Sequence, residues 1–158
     1  MSLSGEPMSM NESTVPNETY VMQEGGIVKS GKIRIIIADN RASNRRGLKA
    51  LLTFEPRIEV IGEANDGQEA VQLTAEKLPD LVLMDVHMPV MDGVQATKKI
   101  KSSWPDIKIV LYSIHPDYEH EADQSGADYF LIKGSPDITP AEVILSFFPW
   151  QEIPDSAV

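Results

Sequence analysis

The chain of 158 residues contains no cysteine. Disulfides, thiolate nucleophiles and cysteine-ligated metals are therefore excluded. No apolar run approaches the ~18 residues that a membrane span requires. The first residues lack a basic start followed by an apolar segment, so no secretory signal is expected. Positive charge is scarce: 14 Lys and Arg stand against 24 Asp and Glu, a net charge of −10. This balance argues against direct binding to nucleic acid, because backbone phosphates are held by clustered Lys and Arg. No Gly-x-Gly-x-x-Gly follows an apolar run, so dinucleotide binding has no support. The expectation is a soluble, cytoplasmic protein with neither membrane nor nucleic acid as a direct partner.

What is present is an ordinary hydrophobic content of 42% in a length that suits one domain with some excess. Residues 1–31 are polar, with little periodicity, and read as a flexible N-terminal tail. Residues 32–150 read as the domain, and 151–158 as a short polar C-terminal tail. Within the domain, short apolar runs alternate with amphipathic stretches. Strands are predicted at Ile33–Ala38, 58–61, 81–84, 107–112 and Tyr129–Ile132. Helices are predicted at 43–54, Gly67–Lys77, 93–102 and 140–148. Leu48, Leu51 and Leu52 should share the inner face of the first helix. Residues 116–125 are so polar that any helix there should be short. Strands alternating with helices imply an α/β fold, a doubly wound five-stranded parallel sheet with right-handed crossovers.

The chemistry gathers at strand ends. Leu81-Val82-Leu83-Met84 runs straight into Asp85. An apolar run without alternation suits a strand buried on both faces. Open α/β sheets place their ligands outside the carboxyl ends of such strands. The first predicted strand ends in Asp39-Asn40, and the last ends in Lys133. Two carboxylates and one lysine on three strand ends suit a metal ion and a phosphoryl group.

These residues resemble a known family, the receiver domains of two-component response regulators. The resemblance covers roughly residues 32–148. It rests on Asp39, on Asp85-x-x-Met88-Pro89-x-Met91-Asp92-Gly93, on Ser113, and on Gly126-Ala127-Asp128 leading to Phe130 and Lys133. Gly47-Leu48-Lys49-Ala50-Leu51-Leu52 and Val60-Ile61-Gly62-Glu63-Ala64 look most like receivers that usually carry a C-terminal helix-turn-helix of LuxR type, which regulate transcription. That domain is not in this sequence, which reads as a stand-alone receiver or a piece of a longer chain. The resemblance implies a flavodoxin-like (CheY-like) receiver fold. It implies that Asp85 accepts a phosphoryl group from a sensor histidine kinase or phosphotransfer protein, with Mg²⁺ held by Asp39, Asn40, Asp85 and the backbone carbonyl of His87. Lys133 would neutralise the phosphoryl oxygens. Ser113 and Phe130 would be the switch residues. Such a chain is not an enzyme beyond catalysing its own aspartyl phosphorylation and dephosphorylation. A homodimer or an output domain would read the switch.

Two departures stand out. Asn40 occupies a position that is usually acidic and normally contacts the metal, so Mg²⁺ should bind more weakly. The interval from Ser113 to Lys133 is short for the family. Both keep open a second reading, a phosphorylation-independent interaction module. A haloacid-dehalogenase-type phosphatase needs an acid two residues after the nucleophile, where this chain has His87. A flavodoxin is disfavoured because Asp39-Asn40-Arg41-Ala42-Ser43-Asn44 is not a phosphate cradle. His115 and His120, among Asp117, Glu119 and Glu121, read as a solvated loop rather than a transition-metal site.

Overall fold

The computed structural model describes residues 20–23, 26–29 and 31–149, with side chains from Gly31 onward. Trp150 and the predicted C-terminal tail lie outside the described residues, as does most of the predicted N-terminal tail. Within that N-terminal segment, β1 (Tyr20–Gln23) and β2 (Gly26–Lys29) pair antiparallel as a separate two-stranded sheet. Part of the segment read as a flexible N-terminal tail thus forms a hairpin. Tyr20-Val21-Met22 and Ile27-Val28 carry β-prone residues, and Gln23 pairs with Gly26 across a two-residue connection.

The domain alternates as the sequence predicts. In order come β3 (Ile33–Ala38), α1 (Ala42–Thr53), β4 (Ile58–Ala64), α2 (Gly67–Lys77), β5 (Leu81–Asp85), α3 (Gly93–Ser103) and β6 (Lys108–Ser113). A single 3₁₀ turn (Pro116–Tyr118), α4 (Glu119–Ser125), β7 (Tyr129–Ile132) and α5 (Pro140–Ser146) follow. The five parallel strands lie in the order β4-β3-β5-β6-β7. The winding reverses at β3, whose two neighbours β4 and β5 are reached in opposite directions. The crevice between the ends of β3 and β5 is the switch point where such sheets bind ligands.

Alternation of side chains sorts the core into two layers. Ile36, Val82, Met84, Ile109 and Leu111 pack with Ala70, Ala96, Ile100 and Ala122 of α2, α3 and α4. Ile35, Ile37, Leu81, Leu83, Val110 and Leu131 pack with Leu52 of α1 and with Val143 and Ile144 of α5. Each such Ile or Leu contributes about 1.5–3 kcal/mol by leaving water. The same parity carries into the strand ends. Asp39, Asp85, Tyr112 and Lys133 fall on the α1/α5 side, and Ser113 falls on the other.

Helix starts follow sequence chemistry. Asp66 caps α2 through Glu69 N. Asp92 with Gln95 and Thr139 with Glu142 form capping boxes on α3 and α5. Helix α1 has no side-chain cap of its own, and the Arg41 amide at its start donates to Asp39 Oδ1 at 2.8 Å. Leu51 is a correction: it is 62% exposed, whereas Leu52 is buried and Leu48 is half-buried. Leu48 and Leu52, four apart, take the inner stripe, and Leu51 lies to its side. Helix α5 ends at Ser146, and Phe147 and Phe148 pack beyond it. Helix α4 is only seven residues long, held by buried Ala122 and Ser125 and ended by Gly126 at φ 92°.

Candidate functional site

Asp85 is the last residue of β5 and is 6% exposed. Two glycines hold its surroundings. A Cβ on Gly93 would lie 2.2 Å from the Asp85 carbonyl oxygen, and one on Gly67 would lie 2.2 Å from that of Met91. Only glycine allows these approaches. The Gly93 amide donates to Val86 O at 2.9 Å, and the Gly67 amide donates to Met91 O at 2.9 Å. Between them Val90 sits at φ 68°, with Met91 N donating to Pro89 O at 2.7 Å, a tight γ-turn. A β-branched residue there is strained, and the flanking glycine contacts impose the turn. The loop so folded presents His87 outward, with its amide on Asp85 Oδ1 at 3.1 Å.

Lys133, just past β7, bridges the two acids. Its Nζ lies 3.1 Å from Asp85 Oδ2 and 3.4 Å from Asp39 Oδ2. Asp39 is fully buried. Its Oδ1 accepts from Arg41 N, and its Oδ2 accepts from Tyr112 Oη at 2.8 Å, from Asn44 Nδ2 at 3.1 Å and from Lys133. Burial raises the Asp39 pKa, but these donors and the lysine charge outweigh it and leave the carboxyl below its usual range. Burial and the charge of Asp39 push the Tyr112 phenol far above its ordinary value, so it remains a donor. The ring of Tyr112 also lies 4.5 Å beneath the Lys133 ammonium.

A cavity of about 400 Å³ opens above this group, lined by Asn40, Asn44, Asp85, His87, Ser113 and Lys133 among others. The structure therefore brings together Asp85, Lys133, Asn40, His87 and Ser113 around one cavity. It places Asp39 beneath them, in contact with Lys133 but outside the cavity wall. Ser113 is buried, with its Oγ accepting from His115 N at 3.0 Å. Phe130 is not part of this group. It is half-buried against the α4 layer and lines a separate groove with His120, Asp123 and Tyr129. His87, His115 and Tyr118 meet edge-on at the rim, with ring centroids 4.5–6.4 Å apart.

Sequence reasoning missed Tyr112, Asn44 and Arg45, the last donating to the Asp39 carbonyl and to Glu63. The signal for Tyr112 was present. A hydroxyl on a buried strand needs a partner, and Tyr112 pairs directly with Asp85 across β5 and β6.

The donors facing the cavity suit a hard cation. One carboxylate (Asp85) and one amide oxygen (Asn40) sit beside the backbone of His87, and Mg²⁺ accepts one or two carboxylates while keeping most of its waters. Among the described residues, no group of three or more His, Cys, Asp or Glu could hold a metal. The residues present thus fit a largely hydrated Mg²⁺. No helix among the described residues is long and apolar enough to cross a membrane.

Residues 35–142 match the response regulator receiver domain family. Over 67% of its length the chain is 39% identical to the transcriptional regulatory protein DegU of Brevibacillus brevis, covering 46% of that protein. It is 43% identical to LiaR of Bacillus subtilis over 65% of this chain and 50% of the relative. The receiver domain of the response regulator NarL from Mycobacterium tuberculosis superposes with a TM-score of 0.66 at 34% identity. That likeness covers 74% of this chain and 94% of the NarL domain. The chain spans about half the length of the curated relatives it matches. These comparisons lend no support to a phosphorylation-independent module.

Proposed function

The chain belongs to the response regulator receiver family, and from that premise we propose that Asp85 is its phosphoacceptor. The observation that carries the proposal is the contact of Lys133 with Asp85 at the mouth of the cavity. An Asp85 oxygen attacks the phosphorus of a phosphohistidine or a small acyl phosphate. The donor's P–N or P–O bond breaks, and the leaving group keeps the electron pair. Such a transfer needs positioning and charge neutralisation more than covalent help. Lys133 supplies a cation that already rests on Asp85 and is free to follow charge onto the phosphoryl oxygens. Mg²⁺, when bound, would neutralise phosphoryl charge, and Asn40, Asp85 and the His87 carbonyl are the groups that would hold it.

Ser113 is the receiving hydroxyl. It sits in the cavity wall with the His115 amide on its oxygen, so turning toward a phosphoryl group draws on the loop that follows β6. That loop leads into the 3₁₀ turn and the seven-residue α4. Phe130 lies on the same side, in the groove of about 730 Å³ between α4 and β7. Phosphorylation thus biases two arrangements of one surface. The donor is a sensor histidine kinase or phosphotransfer protein in the cytoplasm, and the reader is an output domain or a second copy of the chain.

Phosphoramidate labelling with Mg²⁺ and with EDTA tests this reading. Label that appears only with Mg²⁺, together with altered self-association or partner binding on size-exclusion chromatography, supports it. Absence of label at saturating Mg²⁺ contradicts it.

A further inference from the structure

The Tyr112 hydroxyl is the donor that the receiver mechanism leaves unused. It reaches Asp39 Oδ2, the oxygen on which Lys133 and Asn44 also converge. A carboxylate oxygen has room for about two good hydrogen bonds along its lone pairs. Three donors on Oδ2 therefore compete, and the longest of the three contacts is that of Lys133, at 3.4 Å against 2.8 Å for Tyr112 and 3.1 Å for Asn44. The ammonium instead lies nearer Asp85, at 3.1 Å, cradled by the Tyr112 ring.

We infer that Tyr112 is a positioning residue of the phosphoacceptor site, whose hydroxyl occupies Asp39 and thereby keeps Lys133 on Asp85 and Asp39 out of the metal's reach. The inference rests on the phosphoacceptor reading for its purpose, though not for its geometry. It makes the site single-carboxylate by two devices. Asn40 contributes no charge to the cavity. Asp39 contributes a charge already partly neutralised by a buried hydroxyl that does not ionise. The strand pairing of Asp85 with Tyr112 fixes the ring at the required height, and its neighbour Ser113 turns to the opposite face. Removing the hydroxyl alone should let Lys133 slide toward Asp39. Asp85 would then face a cation with less of its charge answered.

Tyr112→Phe tests this, because it keeps the ring and removes one donor; Tyr112→Leu, which also lacks the hydroxyl, serves should the first fold poorly. In metal-free crystals of either variant, Lys133 Nζ is expected closer to Asp39 than to Asp85, reversing the present order. Calorimetric titration with MgCl₂ is expected to show binding tightened about threefold, because Asp85 gives up part of its ion pair with Lys133. In an Asp39→Asn background the same substitution should leave Mg²⁺ affinity unchanged, since the effect travels through Asp39. A purely structural tyrosine would lower the melting temperature and move neither Lys133 nor the affinity. Unmoved Lys133 with unchanged affinity overturns the inference. So does an equal gain in the Asp39→Asn background. A parent protein that binds no Mg²⁺ counts against the phosphoacceptor reading, and the crystal comparison then decides the role of Tyr112 by itself.

Discussion

Lys133 Nζ lies 3.1 Å from Asp85 Oδ2, joining the end of β7 to the end of β5 across the intervening strand β6. The same ammonium reaches Asp39 at 3.4 Å, so one cation answers two nearly buried carboxylates. Their energies are therefore coupled. Lys133→Met should lower stability by about 1–2 kcal/mol, a figure discounted because the lysine is partly exposed. Adding Asp85→Asn should recover much of that loss, because one like charge is then removed. Urea unfolding of the two single variants and the double variant measures the coupling. Strictly additive losses would show that the three groups do not act as a unit.

Asn40→Asp should tighten Mg²⁺ binding. It places a second carboxylate on the cavity wall beside Asp85, worth of order 1 kcal/mol after screening and desolvation. The metal-free protein should become less stable, because a third acid joins Asp39 and Asp85 around one lysine. Calorimetric Mg²⁺ titration and apo melting curves check both halves. Unchanged affinity would mean that residue 40 does not face the ion.

Stability should fall as the medium is acidified below about pH 4, and Asp39 should be one cause. Burial raises its pKa, but the Arg41 amide, Tyr112, Asn44 and Lys133 bring the folded value below the unfolded one, 3.8. Between the two values the unfolded chain binds more protons, so stability rises with pH. The contribution is complete above the unfolded value and is lost as pH falls through the folded one. Asp39→Asn should therefore flatten the acid limb of stability against pH. An identical slope in the variant would assign the acid sensitivity elsewhere.

Two glycines should respond with opposite signs to the same substitution. Gly93→Ala forces a Cβ to 2.2 Å from the Asp85 carbonyl, backbone against backbone, and should cost about 1–3 kcal/mol or more. Gly47→Ala, in the exposed middle of α1 with nothing within 4 Å, should stabilise by about 0.5–1 kcal/mol. Chemical denaturation of both variants is the check. Gly93→Ala should also impair labelling, since it displaces the backbone that carries Asp85, whereas Gly47→Ala should not.

Much of this arrangement is legible in the sequence because strand ends are. Apolar runs locate β3, β5 and β7, and a charged residue that stops such a run stands at the end of its strand. Asp39, Asp85 and Lys133 follow from that reasoning. Three things do not. Asp39 reads as a metal ligand from its position alone, but two of its four donors, Tyr112 of β6 and Lys133 after β7, are distant in sequence. Tyr112 reads as one more core residue, because an aromatic in a buried strand reveals its hydroxyl partner only when neighbouring strands are in register. Leu51 joins the inner stripe by spacing, yet the docking angle of α1 decides which of two adjacent leucines is covered. The hairpin β1–β2 is too short, at four residues a strand, to rise above its polar surroundings.

The central claim is that Asp85 is the group that takes the phosphoryl, and intact-mass measurement tests it most directly. The parent and Asp85→Asn are each incubated with acetyl phosphate and Mg²⁺, and the adduct is followed with time. One phosphoryl adduct is expected on the parent, absent from Asp85→Asn and lost under conditions that hydrolyse acyl phosphates. An adduct of equal yield on Asp85→Asn, or none on the folded parent at saturating Mg²⁺, would contradict it.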